Sequence, residues 1–332
     1  MLPEFRREKN IMKEFKYNLQ LFAENTNLTS SSGLTDEMKT YYSDYLIDNA
    51  QPKLVHDQFG QKHPIPKNGG KTIEFRKYSP LPKLTTPLQE GVTPDGQSLN
   101  MSTIEATVAQ YGGYITLSDM LLLTAIDNNL VQATKLLGAQ AGATLDTITR
   151  EVLNGGTNVI FAGGKSGRSD LDASSLLTVE DIKKAVRMLK TQNAEQISGS
   201  WVAIIHPDIA YDLTNDPLWK DVKTYSDPDD MYEGEIGKLF GTRFVETTEA
   251  KIFEGGVYST LILGDNAYGV TEITGGGLEH IVKQLGSAGT ADALNQRATA
   301  GWKATKTAER LVENYMVRIE SKSTFSDKAI AN

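Results

Sequence analysis

Cysteine is absent from the 332 residues. That excludes disulfides, thiolate metal centres and cysteine nucleophiles, and it fits synthesis in a reducing compartment. Histidine is scarce, with four residues at positions 56, 63, 206 and 280. Without cysteine to help, a zinc site would need several of those four to converge. Positive charge is short as well: 34 Lys and Arg stand against 42 Asp and Glu, a formal net charge of -8. An acidic chain is poorly suited to hold nucleic acid, because affinity for phosphates comes mainly from Lys and Arg. Long apolar runs are missing. The most apolar short run, Met120 to Ile126, falls far below the ~20 residues that span a bilayer. The opening string MLPEFRREKNIMKEFKYNLQLFAEN is charged and lacks an apolar core of signal-peptide length. Asn27-Leu28-Thr29 fits a glycosylation acceptor, but without a secretion signal it carries almost no weight.

What is present is mostly pattern. Residues 1–35 are polar and rich in Asn, Thr and Ser, and read as an extended arm. A helical pattern follows from Thr35 to Ala50, with Met38, Tyr42, Tyr45 and Leu46 on one side, and Pro52 ends it. Two runs then alternate with period two: KTIEFRKYS with Ile73 and Phe75 on one face, and TIEATVAQY with Ile104, Ala106 and Val108 together. Between them lie prolines at 80, 82, 87 and 94 and glycines at 91 and 96. A connection longer than about 15 residues with no pattern of its own usually has a function. Residues 71–111 are therefore expected to form a long projecting β-hairpin.

Leu130, Ala133, Leu137, Ala141, Leu145, Ile148 and Val152 recur at helical spacing until Asn154-Gly155-Gly156, which predicts a backbone spar of roughly 25 residues. A Gly- and Ser-rich stretch, GGTNVIFAGGKSGRSD, is expected to be a loop. Thr178 with Asp181 predicts a helix cap ahead of Val179, Ile182, Val186 and Leu189. WVAII is wholly apolar and reads as a central strand. His206-Pro207 predicts the start of another helix, with His206 packing or capping there. In GEIGKLFGTRFVET, Ile236 to Phe240 read as a short turn or helix that Gly241 stops, and TRFVET leaves as a strand. VYSTLILGD is a further strand, and the alternation of Tyr315, Val317 and Ile319 predicts a last strand closing the first layer. There is no internal repeat.

Candidate chemistry fails on spacing. In AGGKSG, residues 162–167, Val159 stands where a phosphate-binding loop needs its first glycine, and no strong helix follows Lys165. Gly234, Gly237 and Gly241 miss the dinucleotide-binding spacing. His56 and His63 flank a loop ending at Pro64 and are expected on the surface. Asp227, Asp229, Asp230, Glu233 and Glu235 form an acidic run, but Met231 stands where a calcium loop requires an oxygen ligand, so a solvated acidic loop is the better reading. No serine lies in a nucleophile-elbow context. No residue is assigned a catalytic, cofactor-binding or metal-binding role.

The order of parts carries the strongest signal. A polar arm, a Pro/Gly-rich hairpin, a spar helix and a compact α/β stretch together resemble the HK97-type major capsid fold of tailed phages. QYGGYITLSDMLL resembles the exit from its hairpin, and VAIIHPDIAYDL with GEIGKLFGTRFVET resemble its axial strand, helix and turn. KYNLQLFAE is similar to the start of capsid proteins from phages of Gram-positive bacteria, and LNQRATAGWKATKTAERLVENYMVRIES is similar to the C-terminal signature of the N4-gp56 family of major capsid proteins. The likeness covers residues 12–325, with the first eleven residues lying upstream of Met12. It implies an α+β, HK97-like fold. Residues 1–50 would be the N-terminal arm and first helix, and 51–125 the P-domain strand with the E-loop hairpin. Residues 126–175 would be the spine helix and connecting loop of the P-domain, 176–280 the axial (A) domain, and 281–332 the return to the P-domain. It further implies a non-enzymatic shell protein made in the bacterial host cytoplasm and ending in the virion. Its partners would be its own copies in hexamers and pentamers, with scaffold, portal and decoration proteins. It would enclose DNA without reading its sequence, and use no cofactor, metal or membrane. An encapsulin-like nanocompartment of the same fold, and a nucleotide-binding enzyme built around Lys165, remain the alternatives at this point.

Overall fold

In the computed structural model, the residues described are 26–27, 55–88, 90–91, 93, 95–125, 129–220, 237–287 and 292–332. The expected helix at 35–50 and the acidic run at 227–235 lie outside them, as does nearly all of the arm.

One sheet is built around a single long strand, β14 (Arg297–Arg310). Strand β5 (Ala109–Ser118) runs antiparallel along one of its edges, from Ser118 opposite Arg297 to Ala109 opposite Lys306. The other edge carries β13 (Glu279–Lys283) opposite Thr299–Lys303, then β12 (Tyr268–Thr271) opposite Thr307–Arg310. Two-residue strands finish the sheet: β1 (Thr26–Asn27) parallel to β5, and β2 (Gln61–Lys62) parallel to β12. A two-turn helix, α1 (Asp119–Thr124), continues directly from β5, and the Ser118 hydroxyl accepts from the Leu121 N–H at its start.

The face of β14 explains how the spar is seated. Ala298, Ala300, Trp302, Ala304, Lys306 and Ala308 are all buried, at period two. The alanines let a helix approach closely, and the long side chains between them reach it. That helix is α2 (Asn129–Asn154), 26 residues and hence about 39 Å long. Leu137 and Ala141, with half-buried Leu145, pack on Ala300, Trp302 and Ala304. Trp302 Nε1 donates to Gln140 Oε1 at 3.1 Å, Lys306 Nζ to the Leu145 carbonyl at 2.7 Å, and Arg310 Nη1 to the Val152 carbonyl at 2.9 Å. The strand thus grips the helix along much of its length.

The second sheet has the order β6 (Val159–Phe161), β15 (Met316–Ser321), β11 (Val257–Leu263), β7 (Trp201–Ile205), β9 (Thr242–Glu246), β8 (Lys238–Leu239), and β10 (Ile252–Phe253) pairs β11. Helices α3 (Val179–Thr191) and α4 (Pro207–Asn215) cover one face, where Ile182, Leu189, Ile209 and Leu213 meet Trp201, Ala203, Ile205, Val317 and Ile319. On the other face, Val202, Ile204, Leu261 and Met316 meet Val55, Tyr268 and Leu153 near the end of α2. With both faces covered, β7 and β15 are buried at every position. This is why WVAII shows no alternation.

Three expectations change. The stretch expected to be a loop at 155–170 contains β6, paired parallel with β15 through Ile160 opposite Ile319. The last strand does not close the first layer; β14 does, and β15 lies between β6 and β11 in the second sheet, while Tyr315 ends a 3-10 turn before it. Lys238–Leu239 form a strand antiparallel to β9 instead of a turn or helix. Phe240 (φ 50°) and Gly241 (φ 76°) are the two residues joining them. Positive φ at both positions is the type I′ geometry that matches strand twist.

The need for a left-handed residue at Gly241 is as expected, and it gives a test. A Cβ built there would find Gln196 Nε2 at 3.5 Å and nothing nearer, so any cost is conformational rather than steric. Gly241→Val should destabilise the fold by ~1–2 kcal/mol, read as a lower urea midpoint. An unchanged midpoint would show that the turn tolerates a β-branched residue and that this geometry is not what fixes the hairpin.

Both helix starts are as expected. Thr178 Oγ1 accepts from the Asp181 N–H at 3.3 Å and donates to Asp181 Oδ2 at 2.8 Å, a reciprocal cap for α3. His206 caps α4, its Nδ1 accepting from the Asp208 N–H at 3.2 Å. Asp208 Oδ2 also lies 3.3 Å from Nδ1 and would favour a charged ring. Burial outweighs it and holds the imidazole below its ordinary value. A neutral ring is also what the capping bond requires. As pH falls below the ordinary histidine value of ~6.5, the unfolded chain takes up a proton that the folded chain resists. Stability therefore declines with acidification. His206→Asn keeps an N-cap, a feature worth ~1 kcal/mol, but removes the titration. Melting between pH 7.5 and 5.5 should fall more steeply for the wild type than for this variant. Identical slopes would acquit His206.

Candidate functional site

The element that stands out is the hairpin. Strands β3 (Thr72–Tyr78) and β4 (Met101–Thr107) pair antiparallel from Thr72 opposite Thr107 to Tyr78 opposite Met101. Its base is docked. Ala106 and Val108 are buried, and the Phe75 ring meets the His63 ring edge-on, with centroids 5.4 Å apart. Between Tyr78 and Met101 the described residues carry no further strand pairing, and the apolar side chains among them face outward: Leu81 is 54% exposed, Leu84 79%, Leu88 76% and Leu99 66%. A concentration of exposed leucines marks an interaction surface. Pro80, Pro82 and Pro87 have no N–H to donate, so the segment is a poor template for unlimited edge pairing.

The root of the hairpin is anchored by a polar network. His56 is fully buried, with its backbone N 2.8 Å and its Nδ1 2.6 Å from the Asp146 carboxylate on α2. The Tyr268 hydroxyl donates to the His56 carbonyl, and burial pushes that phenol above its ordinary value. Asp57 accepts from Thr149 of α2 and pairs with Lys306 of β14. This corrects the expectation that His56 is a surface residue. Neighbouring Val55 is itself completely buried and carries His56 inward, where Asp146 takes its backbone N–H and Nδ1 while Nε2 stays without a partner among the described residues. Residues 55–57 thereby tie the chain ahead of the hairpin to both the spar and the first sheet. His63 is half-buried and bonded to Gln61, and His280 is exposed on β13. The histidines are thus dispersed.

Lys165 is placed in its own loop's service. Its ammonium lies 2.8 Å from Asp172 Oδ2, and with the Ser174 and Ser175 hydroxyls it holds that carboxyl far below the usual range. Gly163 and Gly164 both have φ 68° within and at the end of a 3-10 turn, and only a second short turn, Arg168–Asp170, follows. The loop thus leads into a 3-10 turn and not into an α-helix whose N-terminus could receive a phosphate. Gly234 of the related glycine series lies outside the described residues. Among the described residues, no three His, Asp or Glu side chains are grouped as metal ligands. None of their helices is long and apolar enough to cross a membrane.

The sequence pattern of the family described as phage capsid protein matches residues 101–308, from the start of β4 to near the end of β14. This chain belongs to that family.

Solved phage capsids share the capsid protein's fold at low identity. A capsid structure of cyanophage P-SCSP1u superposes with a TM-score of 0.66 at 12% identity, covering 88% of this chain and 95% of that one. The capsid of cyanophage Pam1 gives 0.68 at 11% identity, covering 86% and 97%. The capsid of the Helicobacter pylori bacteriophage KHP30 gives 0.63 at 10% identity, covering 89% and 98%. No curated protein sequence matches significantly. The α+β, HK97-like fold expected from the order of parts is the fold of this capsid protein. Sequence reasoning missed the grip of β14 on the spar. The available signal was the alternation of Ala300, Ala304 and Ala308 with Trp302, Lys306 and Arg310.

Proposed function

We propose that this chain is the major capsid protein of a tailed phage or prophage. It assembles through hexamers and pentamers into the icosahedral shell that encloses a double-stranded DNA genome. The observation that carries this is the hairpin: a member of the phage capsid protein family extends a segment whose leucines find no cover among the described residues. Such a segment is satisfied by a neighbour. The role is structural rather than catalytic, and the location is the virion, with synthesis in the host cytoplasm. The net charge of -8 suits an inner surface over which packaged DNA moves without being trapped.

Finer assignments belong to the same reading. The string from Leu294 to Ser321 supports placement in the N4-gp56 branch. Residues 51–125 and 126–175 are taken as the peripheral unit with its hairpin and spine, 176–280 as the axial unit, 1–50 as the arm and 281–332 as the return. Scaffold, portal and decoration proteins are the expected partners besides further copies. The purified chain, viewed by negative-stain microscopy and weighed by light scattering, should give capsomers or closed shells. A stable monomer or dimer at high concentration in physiological salt would refute the reading.

A further inference from the structure

The outward face of α3 is basic in an acidic chain. Lys183, Arg187 and Lys190 follow one another at helical spacing and are exposed, while Ile182, Ala185, Val186 and Leu189 face the core. Lys184, one position round the helix, is matched by Glu180 at 3.4 Å and Asp181 at 3.2 Å. Among the described residues, no carboxylate pairs with Lys183, Arg187 or Lys190. The β8–β9 turn leans over this face. Phe240, held at φ 50°, puts its ring centroid 4.4 Å from the Lys183 ammonium. A bulky residue at positive φ is uncommon, and here it sets an aromatic wall beside three cations. The groove so formed has a volume of about 590 Å³, and Val186 and Thr191 contribute to its lining.

The sequence holds the complement. Between Thr224 and Ile236 there are five acids, Asp227, Asp229, Asp230, Glu233 and Glu235, and no Lys or Arg. Met231 and Tyr232 stand in their midst, an apolar pair suited to Val186 and Phe240. Gly237, where this run rejoins the sheet, stands at the end of β8 opposite the Phe240 turn, about 10 Å away along the strand. Two different, complementary patches on one subunit are what a head-to-tail contact needs, and such contacts repeated by rotation close a ring. We infer that the basic groove of each copy receives the acidic run 227–235 of a second copy, as a contact between neighbours within a capsomer. This rests on the reading of the chain as a shell protein.

Two variants separate the possibilities. The groove variant carries Lys183→Glu, Arg187→Glu and Lys190→Glu. The run variant carries Asp227→Lys, Asp229→Lys and Asp230→Lys. The groove variant should melt within a few degrees of the wild type, since Lys183, Arg187 and Lys190 are exposed, and the same melt checks that the run variant folds. Each alone should lose at least ten-fold in the assembled fraction by sedimentation. Mixing the two should restore hexamers, because each supplies what the other's partner now requires. Failure of the mixture, with rescue only in one chain carrying both reversals, would place the run in its own chain's groove and overturn the inference. Normal assembly of the groove variant would also overturn it, as would normal assembly with loss of packaged DNA, which would make nucleic acid the occupant. If the wild type itself formed no shells, the functional reading would fall separately. A peptide of residues 225–237 would then test the contact alone, binding the wild type and losing at least ten-fold in affinity for the groove variant. Equal affinity would end the proposal.

Discussion

Replacing residues 80–99 with Asn-Gly should leave the subunit folded and abolish shell formation. The cut preserves every pair of β3 and β4 up to Tyr78 opposite Met101, and the bond from the Ser79 N–H to the Asn100 carbonyl at 3.0 Å. Asn-Gly is the preferred two-residue connection for such a pair. The docked base remains, since Ala106, Val108 and the Phe75–His63 contact all lie below the cut. What disappears is Leu81, Leu84, Leu88 and Leu99, each more than half exposed. Burying what remains exposed of a leucine is worth about 1–2 kcal/mol. Four of them represent roughly 4–8 kcal/mol of contact per copy before the costs of association. Repeated over every neighbour, that loss far exceeds what a single subunit contact can spare. Circular dichroism should be unchanged and the melting temperature should move by no more than about 3 °C, while microscopy should find no particles. Normal shells from the shortened chain would remove the hairpin from assembly altogether.

Much of this architecture was readable because its signals are local. The hairpin announced itself as two period-two runs around a proline-rich span. The spar showed apolar residues from Leu130 to Val152 at helical spacing, and the observed helix is Asn129–Asn154. Thr178 and His206 cap as their chemistry predicts, with bonds no more than three residues long. What escaped notice depends on partners far away in sequence. In β14 the alternation is of size and hydrogen-bonding reach, with Lys306 and Arg310 on the buried side. Hydropathy alone therefore gives KATKTAER no apolar face to mark it as buried. His56 is buried only because Asp146, 90 residues on, accepts from it twice. The sheet that takes β15 is decided by pairing with Leu261 and Val159, which no local string encodes. The assembly surface has no motif either. It could be inferred only from leucines in a segment unable to cover them.

Glu320→Ala should be the most damaging single substitution among those argued here. Glu320 is fully buried in β15 and accepts from Arg168 Nε and Nη2, both at 2.7 Å, and from Arg318 Nε at 2.9 Å. Arg318 in turn donates through Nη1 to the carbonyls of Asn154 and Gly156, where the spar ends. The Arg168 guanidinium also lies 3.6 Å over the Phe253 ring. One carboxylate thus joins the second sheet, the loop after β6 and the C-terminus of α2. Burial already pushes the Arg318 guanidinium below its ordinary value, Arg168 adds to that, and the charge of Glu320 opposes both. Removing the carboxylate leaves two cations facing one another, one of them largely out of reach of water. Breaking one side of a buried pair typically costs ~3–5 kcal/mol, and because Arg168 is 42% exposed most of that falls on Arg318. The urea midpoint should drop accordingly, and thermal melting should fall by on the order of 10 °C. Glu320→Gln keeps the shape and one acceptor oxygen, so it should recover part of the loss but not the charge compensation. If Glu320→Ala unfolded at the wild-type midpoint, Arg318 would have to be satisfied by the helix carbonyls alone. The junction between spar and second sheet would then be held by packing of Leu153 against Ile204 and Leu261 rather than by this ion cluster.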